Sequence, residues 1–422
     1  MHSSTLSSEK AIEEVAIEEM KEAPVWRRLL RLRHLSPVVF HTALFLLLAH
    51  LIVAAVMPLL VSDEIYLSLY LGKDARESTK RFLDGKHPFL LYDPILGWRN
   101  RPDVKHDKWI IDEQGARTTH RVGTSSSRKR YVLFLGDSLI NGSMNVSNAE
   151  TLSAYIEDAS TESINFATML YTLDQIYLDY KERLGRYKVD VVVVGLPGEE
   201  STPGLLNQYI PFRVRAENKM PFLKPRFEMR SDALSMLPVP SLQVYEGLLK
   251  TPALLKTLEK TDAYYGEFSG YKRFGLMPGS NVIYSLYKKI RAEARLTGET
   301  DEGMPILKKL IDRMALQGRE RNAAMVFVAL PDLKTVAPRL WQRVLPDRYA
   351  ARVKELKGEG YTLLDVRPAL RESGLPPEEL FDADGVHYSS AGNRIIAAAL
   401  KRVLEHLGEE VCLDSESKRP LV

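Results

Sequence analysis

Three side chains that together can carry out acyl transfer lie at two distant points of the sequence. Ser138 follows a short apolar run, YVLFLG, that ends at Gly136. Asp384 and His387 lie three residues apart in the segment FDADGVHYSSAGN. On a loop that leads into a helix, this spacing lets a carboxylate reach imidazole Nδ1 and leaves Nε2 for a serine hydroxyl. The pattern therefore predicts a serine nucleophile, its general base and a group that orients the base.

Each of these residues also has a purely structural interpretation. Ser138 fits the N-cap of a helix that begins in a turn. His387 fits a hydrogen-bonded surface histidine, and Asp384 fits a turn residue. Asp382 is the alternative orienter, although the spacing favours Asp384.

Short apolar runs alternate with amphipathic segments from residue 130 onward, which is typical of βαβ units. This alternation predicts an α/β fold with a parallel sheet covered on both faces. Ser138 then lies at the carboxyl end of a strand, where ligands bind in open α/β sheets. The expected strands are 131–136, Val189–Val194, Ala323–Leu330 and 361–366, and the expected helices are Ala149–Asp158, Leu173–Tyr187 and Ser389–Leu407.

The alternation lapses between about residues 205 and 302. This region is rich in Pro, Leu and Tyr, and its periodicity is weaker. We interpret it as a largely helical insertion that lies over the sheet.

A membrane anchor is predicted near the N-terminus. The 25 residues 37–61 contain no Asp, Glu, Lys or Arg, and a spanning helix needs about 20. A buried core helix is the alternative, but such helices are seldom this long without a charge. Arginines precede the segment, and Asp63 and Glu64 follow it, which places the N-terminus in the cytoplasm. The expected organisation is a cytoplasmic tail (1–36), an uncleaved transmembrane helix (37–61), a stalk (62–91) and the α/β domain (92–422).

Composition excludes several other classes of function. The 422 residues include 58 Lys and Arg against 55 Asp and Glu, so the formal charge is only +3. This balance argues against a strongly basic nucleic-acid-binding protein. The single cysteine, Cys412, permits no intramolecular disulfide, and no Cys/His zinc pattern occurs. Phosphate-loop and dinucleotide-binding fingerprints are also absent from the sequence, so we expect neither a metal nor a cofactor.

Two motifs and the segments between them resemble one known family. GDSL at Gly136–Leu139 and DGVH at Asp384–His387 resemble the SGNH (GDSL) hydrolase superfamily. The closer similarity is to its bacterial, membrane-anchored branch, which is related to polysaccharide O-acetyltransferases and esterases. YDPILGWRNRP, DEQGAR, INFATMLYTLDQ and YKVDVVVVGLPGEE resemble further blocks of that branch. The resemblance extends from about Tyr92 to Leu407.

The resemblance implies a three-layer α/β/α fold of the flavodoxin-like type. It makes Ser138 the nucleophile, His387 the general base and acid, and Asp384 its orienter. The Ser138 backbone N–H becomes one donor to the oxyanion of an acyl-transfer reaction, and no cofactor is required. The implied substrate is an acylated envelope or exported glycan, and a membrane O-acyltransferase or an export protein is a possible partner. The domain would then lie on the periplasmic or extracellular side of a bacterial inner membrane.

The second block departs from the family pattern at the oxyanion site. It usually carries a glycine whose N–H helps to bind the oxyanion. Counting from Asn165, which is itself a candidate oxyanion- or substrate-binding residue, that position is Leu170. A backbone N–H survives the change to leucine, provided that Leu170 adopts the required backbone angles.

The third block departs more seriously. Gly198 is followed by Glu199 and Glu200, where the family usually has an asparagine. An ionised carboxylate cannot donate a hydrogen bond, and the loss of one oxyanion donor typically costs about 10²–10³ in rate. Three interpretations follow: a slow enzyme with a rebuilt site, a Glu199 that points away while another donor replaces it, or a catalytically impaired accessory protein that binds glycan or an acylation partner.

Overall fold

The structure is a computed structural model. It describes residues 37–60, 77–119, 130–198, 201–213, 222–250, 252–266, 301–340 and 346–417. The strands are β1 (Leu90–Asp93), β2 (Gly97–Asn100), β3 (Lys105–His106), β4 (Trp109–Ile110), β5 (Arg130–Leu135), β6 (Thr161–Asn165), β7 (Val191–Pro197), β8 (Arg226–Arg230), β9 (Ala233–Leu237), β10 (Ala324–Leu330) and β11 (Leu363–Asp365).

The α-helices of the described residues range from single turns to 28 residues. Besides the helical residues 77–83, they are α1 (Pro37–Leu60), α2 (Ser138–Asn141), α3 (Leu152–Ile156), α4 (Leu173–Arg186), α5 (Ile210–Arg213), α6 (Leu242–Lys250), α7 (Met304–Glu320), α8 (Leu333–Val336), α9 (Arg348–Gly358), α10 (Arg367–Arg371), α11 (Pro377–Leu380) and α12 (Ser390–Ser417). Three 3₁₀ helices accompany them, at Asn148–Glu150, Pro203–Leu206 and Pro252–Lys260.

The central element is a five-stranded sheet in the order β11-β10-β7-β5-β6. All four strand pairs are parallel. The chain runs outward from β5 to β6 and then crosses to β7 on the other side of β5. This order is that of flavodoxin-like sheets, and its switch point lies between β5 and β7. Ligands bind at the carboxyl ends of the strands at such a point.

Alternate residues of the central strands divide between two apolar cores. Leu133 and Leu135 of β5 belong to the larger cluster, which lies against α4 and α7. Val132 and Phe134 belong to a second cluster, which lies against α2, α3 and α12. Both faces of the sheet are therefore covered, and the three-layer arrangement expected from the sequence is observed.

Several elements differ from their sequence-based boundaries. The expected helix Ala149–Asp158 is divided at Thr151 into a 3₁₀ turn and α3, because Thr151 is extended (ψ 157°) and its side chain caps α3. The final helix begins at Ser390 and runs to Ser417, ten residues past the expected end. Strand β6 was not expected.

Two antiparallel hairpins, β1–β2 and β3–β4, precede the sheet. Residues 77–83 are helical, and Phe82 and Leu90 are buried in the larger core. The sequence assigned 62–91 to a stalk. The structure instead packs the end of that segment into the domain, since its aromatic and aliphatic side chains contact the core, and residues 62–76 lie outside the described residues.

The insertion expected to be largely helical is mixed. It contains the antiparallel hairpin β8–β9, with Arg226 opposite Leu237, followed by α6 and a 3₁₀ helix. Phe222, Leu223 and Phe227 join the larger core. Residues 267–300 lie outside the described residues.

The segment predicted to span a membrane forms helix α1 over 24 residues. The described residues contain no helix identified as long and apolar enough to cross a membrane. The tail predicted for residues 1–36 lies outside the described residues.

Candidate active site

The nucleophile candidate lies immediately after the central strand β5. Asp137 is the N-cap of α2, and its carboxylate accepts a hydrogen bond from Leu139 N at 2.9 Å. Ser138 is the first residue of this short helix, so its N–H has no intrahelical acceptor. A Cβ at Gly195 would lie 2.3 Å from Cγ1 of Ile140. Glycine at this position therefore lets α2 pack closely against β7.

The histidine loop is closed by backbone hydrogen bonds. Asp382 N donates to His387 O at 2.7 Å, and Gly385 N donates to Asp382 O at 2.8 Å. Gly385 has a φ of +66°, which favours glycine. Leu333 N, at the start of α8, donates to Gly385 O at 2.9 Å. These bonds fix the loop beside the carboxyl end of β10.

The structure brings Ser138, His387 and Asp384 together. His387 Nε2 lies 2.8 Å from Ser138 Oγ. His387 Nδ1 lies 2.5 Å from Oδ2 of Asp384. With the Nδ1 proton held by the carboxylate, Nε2 is free to accept the serine proton. Asp382, the alternative orienter, does not contact the imidazole in this way.

The orienting carboxylate is held in its ionised form. Burial raises the pKa of Asp384, but hydrogen bonds from the His387 ring and from the N–H groups of His387 and Val386 outweigh it, so that the pKa is lowered. Loss of water around the neighbouring Asp137 carboxyl raises its pKa to about 6.

The triad is accessible from solvent. The side chains of His387 and Asp384 are 22% and 44% exposed. Water or a dissolved ester can therefore reach the imidazole without a rearrangement of the described residues.

The Leu170 N–H, which the sequence predicts as an oxyanion donor, belongs to the loop that follows β6. Its φ is +63°, the left-handed conformation that a glycine would adopt easily. Among the described residues no acceptor faces its N–H. Thr168 N donates to Gly136 O at 3.0 Å. Thr168 lies two residues before Leu170, and Gly136 lies two residues before Ser138. The bond therefore joins the loop that carries Leu170 to the turn that carries Ser138.

The other two candidate oxyanion- or substrate-binding residues are Asn165 and Glu199. Asn165 is fully buried, and its amide donates at 3.0 Å to Ile140 O and to Ser153 Oγ. It therefore holds the end of α2 and does not face a substrate. Glu199 lies outside the described residues. The preceding Gly198 donates to Leu330 O at 2.9 Å and accepts from Arg352 at 2.7 Å.

Sequence reasoning did not single out Arg117. Its buried guanidinium donates to the carbonyl groups of Asn141, Ser143 and Val146, and to Asn148 Oδ1 at 3.0 Å. Burial lowers the pKa of Arg117 to about 9. The DEQGAR segment contained this residue, but only the fold shows that it holds the loop after the nucleophile.

Among the described residues, no group of three or more His, Cys, Asp or Glu side chains is placed to hold a metal ion.

Comparisons with known proteins give a fold-level likeness only. No family model matches the chain, and no curated protein matches it. Similar solved structures include a GDSL-like lipase from Bacteroides thetaiotaomicron (13% identity, 68% of this chain and 93% of that one, TM-score 0.31). An acetylxylan esterase from Geobacillus stearothermophilus has 15% identity over 65% of this chain and 93% of that one, with a TM-score of 0.32. A protein of the G-D-S-L family from Desulfitobacterium hafniense, described as lipolytic, has 11% identity over 65% of this chain and 99% of that one, with a TM-score of 0.33. At these values the superpositions do not establish membership of a family.

Proposed function

We propose that this protein is a serine acyl-ester hydrolase or O-acyltransferase. The observation that carries the proposal is the continuous hydrogen-bonded chain from Ser138 Oγ through His387 to Asp384, with distances of 2.8 and 2.5 Å. These three residues lie at the switch point of a parallel sheet, where such folds bind ligands.

The geometry supports a two-step reaction. Ser138 Oγ attacks the ester carbonyl carbon while its proton passes to His387 Nε2. The tetrahedral oxyanion accepts hydrogen bonds from the N–H groups of Ser138 and Leu170. As it collapses, His387 returns the proton to the leaving alcohol, and an acyl-serine remains. Water or a second alcohol, deprotonated by His387, then takes the acyl group and releases the serine.

Active-site labelling of the full-length protein with a fluorophosphonate tests this proposal. The phosphorus forms a bond to an activated serine oxygen, and fluoride leaves. We expect labelling of the protein and its loss in Ser138→Ala. Ser143→Ala is the matched control, because it makes the same change five residues along without contact to the imidazole, and it should label normally.

The same experiment addresses the accessory function suggested by Glu199. A folded protein that is not labelled, and that does not cleave p-nitrophenyl acetate, would contradict the enzyme proposal and favour binding without turnover. If labelling occurs, product analysis separates the two chemistries. Hydrolysis releases acetate, whereas transfer places the acetyl group on an added oligosaccharide.

The proposal extends to a membrane-anchored protein whose domain faces an envelope or exported glycan. Among the described residues, no helix identified as membrane-spanning supports the anchor. It rests on the sequence, in which residues 37–61 carry no charge, and on the exposed apolar side chains of α1, such as Phe45, Leu46 and Ile52. Apolar side chains exposed along a helix favour burial in lipid or against a partner. The glycan rests on the family resemblance and on this topology.

Alkaline extraction of cell membranes tests the anchor. We expect the full-length protein to stay in the membrane pellet, and a variant with Phe45→Lys and Leu48→Lys to be found in the supernatant. An epitope placed after Val422 should be accessible to antibody in cells whose inner membrane is intact but whose outer layer is opened. Full extraction of the unmodified protein would contradict anchoring and would leave the proposed chemistry untouched.

A further inference from the structure

Strand β2 presents two side chains to the loop that carries Leu170. Trp98 and Asn100 are two residues apart and both are buried, whereas Arg99 between them is exposed. Asn100 Nδ2 donates to Ala167 O at 3.1 Å. Because successive residues of a strand point to opposite faces, Trp98 and Asn100 share the face that supports this loop, and the exposed Arg99 lies on the other face.

Trp98 contacts the loop on both sides of Leu170. Its indole Nε1–H donates to Met169 O at 2.9 Å, and its carbonyl accepts from the Tyr171 hydroxyl at 2.6 Å. The indole ring also stacks on Phe222 with 5.0 Å between ring centroids. The residues before and after Leu170 are thus both bonded to one fully buried tryptophan.

The residue between these two bonds has a backbone conformation that leucine rarely adopts. A positive φ at a residue other than glycine persists when the surrounding structure determines it. The Leu170 N–H has no protein acceptor among the described residues, and the half-buried Leu170 side chain packs against the larger core.

We propose that Trp98 is a positioning residue for acyl transfer, which holds the Leu170 N–H in place as an oxyanion donor. This inference rests on the proposed function. Neither Trp98 nor the hairpin that carries it contributes an atom to the triad. The hairpin acts through the loop, by fixing the peptide bond between Met169 and Leu170.

The test compares two substrates of the full-length protein, p-nitrophenyl acetate and p-nitrophenyl thionoacetate. Oxyanion donors stabilise the developing charge on oxygen far better than that on the larger, softer sulfur. Trp98→Phe keeps an aromatic ring but removes the indole N–H. We expect kcat for the oxygen ester to fall about 10-fold or more with little change in KM, and the oxygen-to-sulfur rate ratio to fall with it.

Arg99→Gln is the matched control, since it changes the neighbouring exposed side chain of the same strand. It should leave both the rates and their ratio unchanged. A Trp98→Phe protein that loses both activities equally, together with thermal stability, would show a merely structural role and overturn the inference. Failure of the proposed function is distinguishable, because the wild-type protein would then cleave neither ester, or Ser138→Ala would leave the activity unaltered.

A second variant covers the case in which Trp98→Phe fails to fold. Tyr171→Phe removes only the hydroxyl that donates to Trp98 O. We expect a smaller fall of about 3-fold in the oxygen-to-sulfur ratio, because one of the two bonds remains. An unchanged ratio in a folded Tyr171→Phe protein would contradict the role of Trp98 in holding Leu170.

Discussion

The Asp384 carboxylate accepts hydrogen bonds from residues no more than three positions away. Oδ1 accepts from Val386 N and His387 N at 2.8 and 2.9 Å, and Oδ2 accepts from His387 Nδ1. A four-residue loop thus sets the position of both the imidazole and its orienter. This local closure explains why the spacing in the sequence predicted the pair.

Replacement of this carboxylate tests its orienting role. Asp384→Asn leaves the loop bonds to Oδ1 in place but favours the wrong imidazole tautomer. We expect kcat to fall by about 10²–10⁴, the upper value being typical of buried triads. Steady-state hydrolysis of p-nitrophenyl acetate measures this, with Asp382→Asn as the control that should retain most of the activity.

The lowered pKa of Asp384 also predicts a pH dependence of stability. The ordinary pKa is 3.8, and the folded value is below it. The folded state therefore binds the proton less well than the unfolded state. The contribution to stability is fully present above pH 3.8 and is lost as the pH falls through the folded pKa. Urea unfolding should show a difference between wild type and Asp384→Asn that is constant from pH 5 to 8 and shrinks below about pH 4.

The contacts of Arg117 predict the effect of its replacement on stability. Its guanidinium satisfies three buried backbone carbonyl groups, and buried acceptors without partners are costly. We expect Arg117→Met to lower the free energy of unfolding by about 3 kcal/mol or more. Urea denaturation would measure this loss. A change below about 1 kcal/mol would contradict the assigned role.

At the scale of elements, the apolar strands were predictable and the polar one was not. Strands β5, β7 and β10 are rich in Val, Leu, Phe and Met, as buried parallel strands usually are in apolar residues. Strand β6 has the sequence TESIN, yet all five residues are buried. Ser163 is satisfied there by Glu157, which accepts from its N–H and hydroxyl. No hydrophobic pattern marks such a strand.

Only part of the site could be predicted from the sequence, because some of its supporting contacts also leave no local sequence pattern. The positions of Ser138, Asp384 and His387 follow from short motifs and from the order of the strands. Trp98 lies on the β1–β2 hairpin and Arg117 lies in the segment after β4. Both contact loops that are remote in sequence, and no local pattern specifies those contacts. The sequence made the role of Leu170 depend on its backbone conformation, and only the structure gives that conformation, a φ of +63°.

The close packing of α2 on β7 predicts the effect of a single methyl group. In Gly195→Ala, the new Cβ meets Cγ1 of Ile140 at 2.3 Å and must displace α2 or the strand. We expect a loss of about 1–3 kcal/mol in the free energy of unfolding. The rate of fluorophosphonate labelling should also fall, because Ser138 begins the displaced helix.

Gly185 provides the matched control for this substitution. It lies within α4, and a Cβ there meets no atom within 4 Å. Gly185→Ala should therefore stabilise the protein by about 0.5–1 kcal/mol and leave labelling unchanged. Equal stabilities for the two variants would show that α2 and β7 are not closely packed.

At the scale of the whole molecule, the sheet brings together segments that are remote in sequence. The five parallel strands need long crossovers, and the chain between β7 and β10 holds the insertion. The insertion packs into the same apolar core as the hairpins and α7. Residues 222–264 are therefore part of the domain's core, and we expect their deletion to prevent folding.

The serine and histidine of the site are separated by 249 residues. During synthesis the nucleophile consequently exists for most of translation without its base. A ribosome-bound nascent chain that stops near residue 380 should be unreactive toward fluorophosphonate. Reactivity should appear only after the DGVH loop, Asp384–His387, has left the ribosome and packed against the sheet. If the chain is exported across a membrane as it is made, esters inside the cell are never exposed to a competent site, so the late arrival of His387 would confine the chemistry to the compartment in which folding is completed.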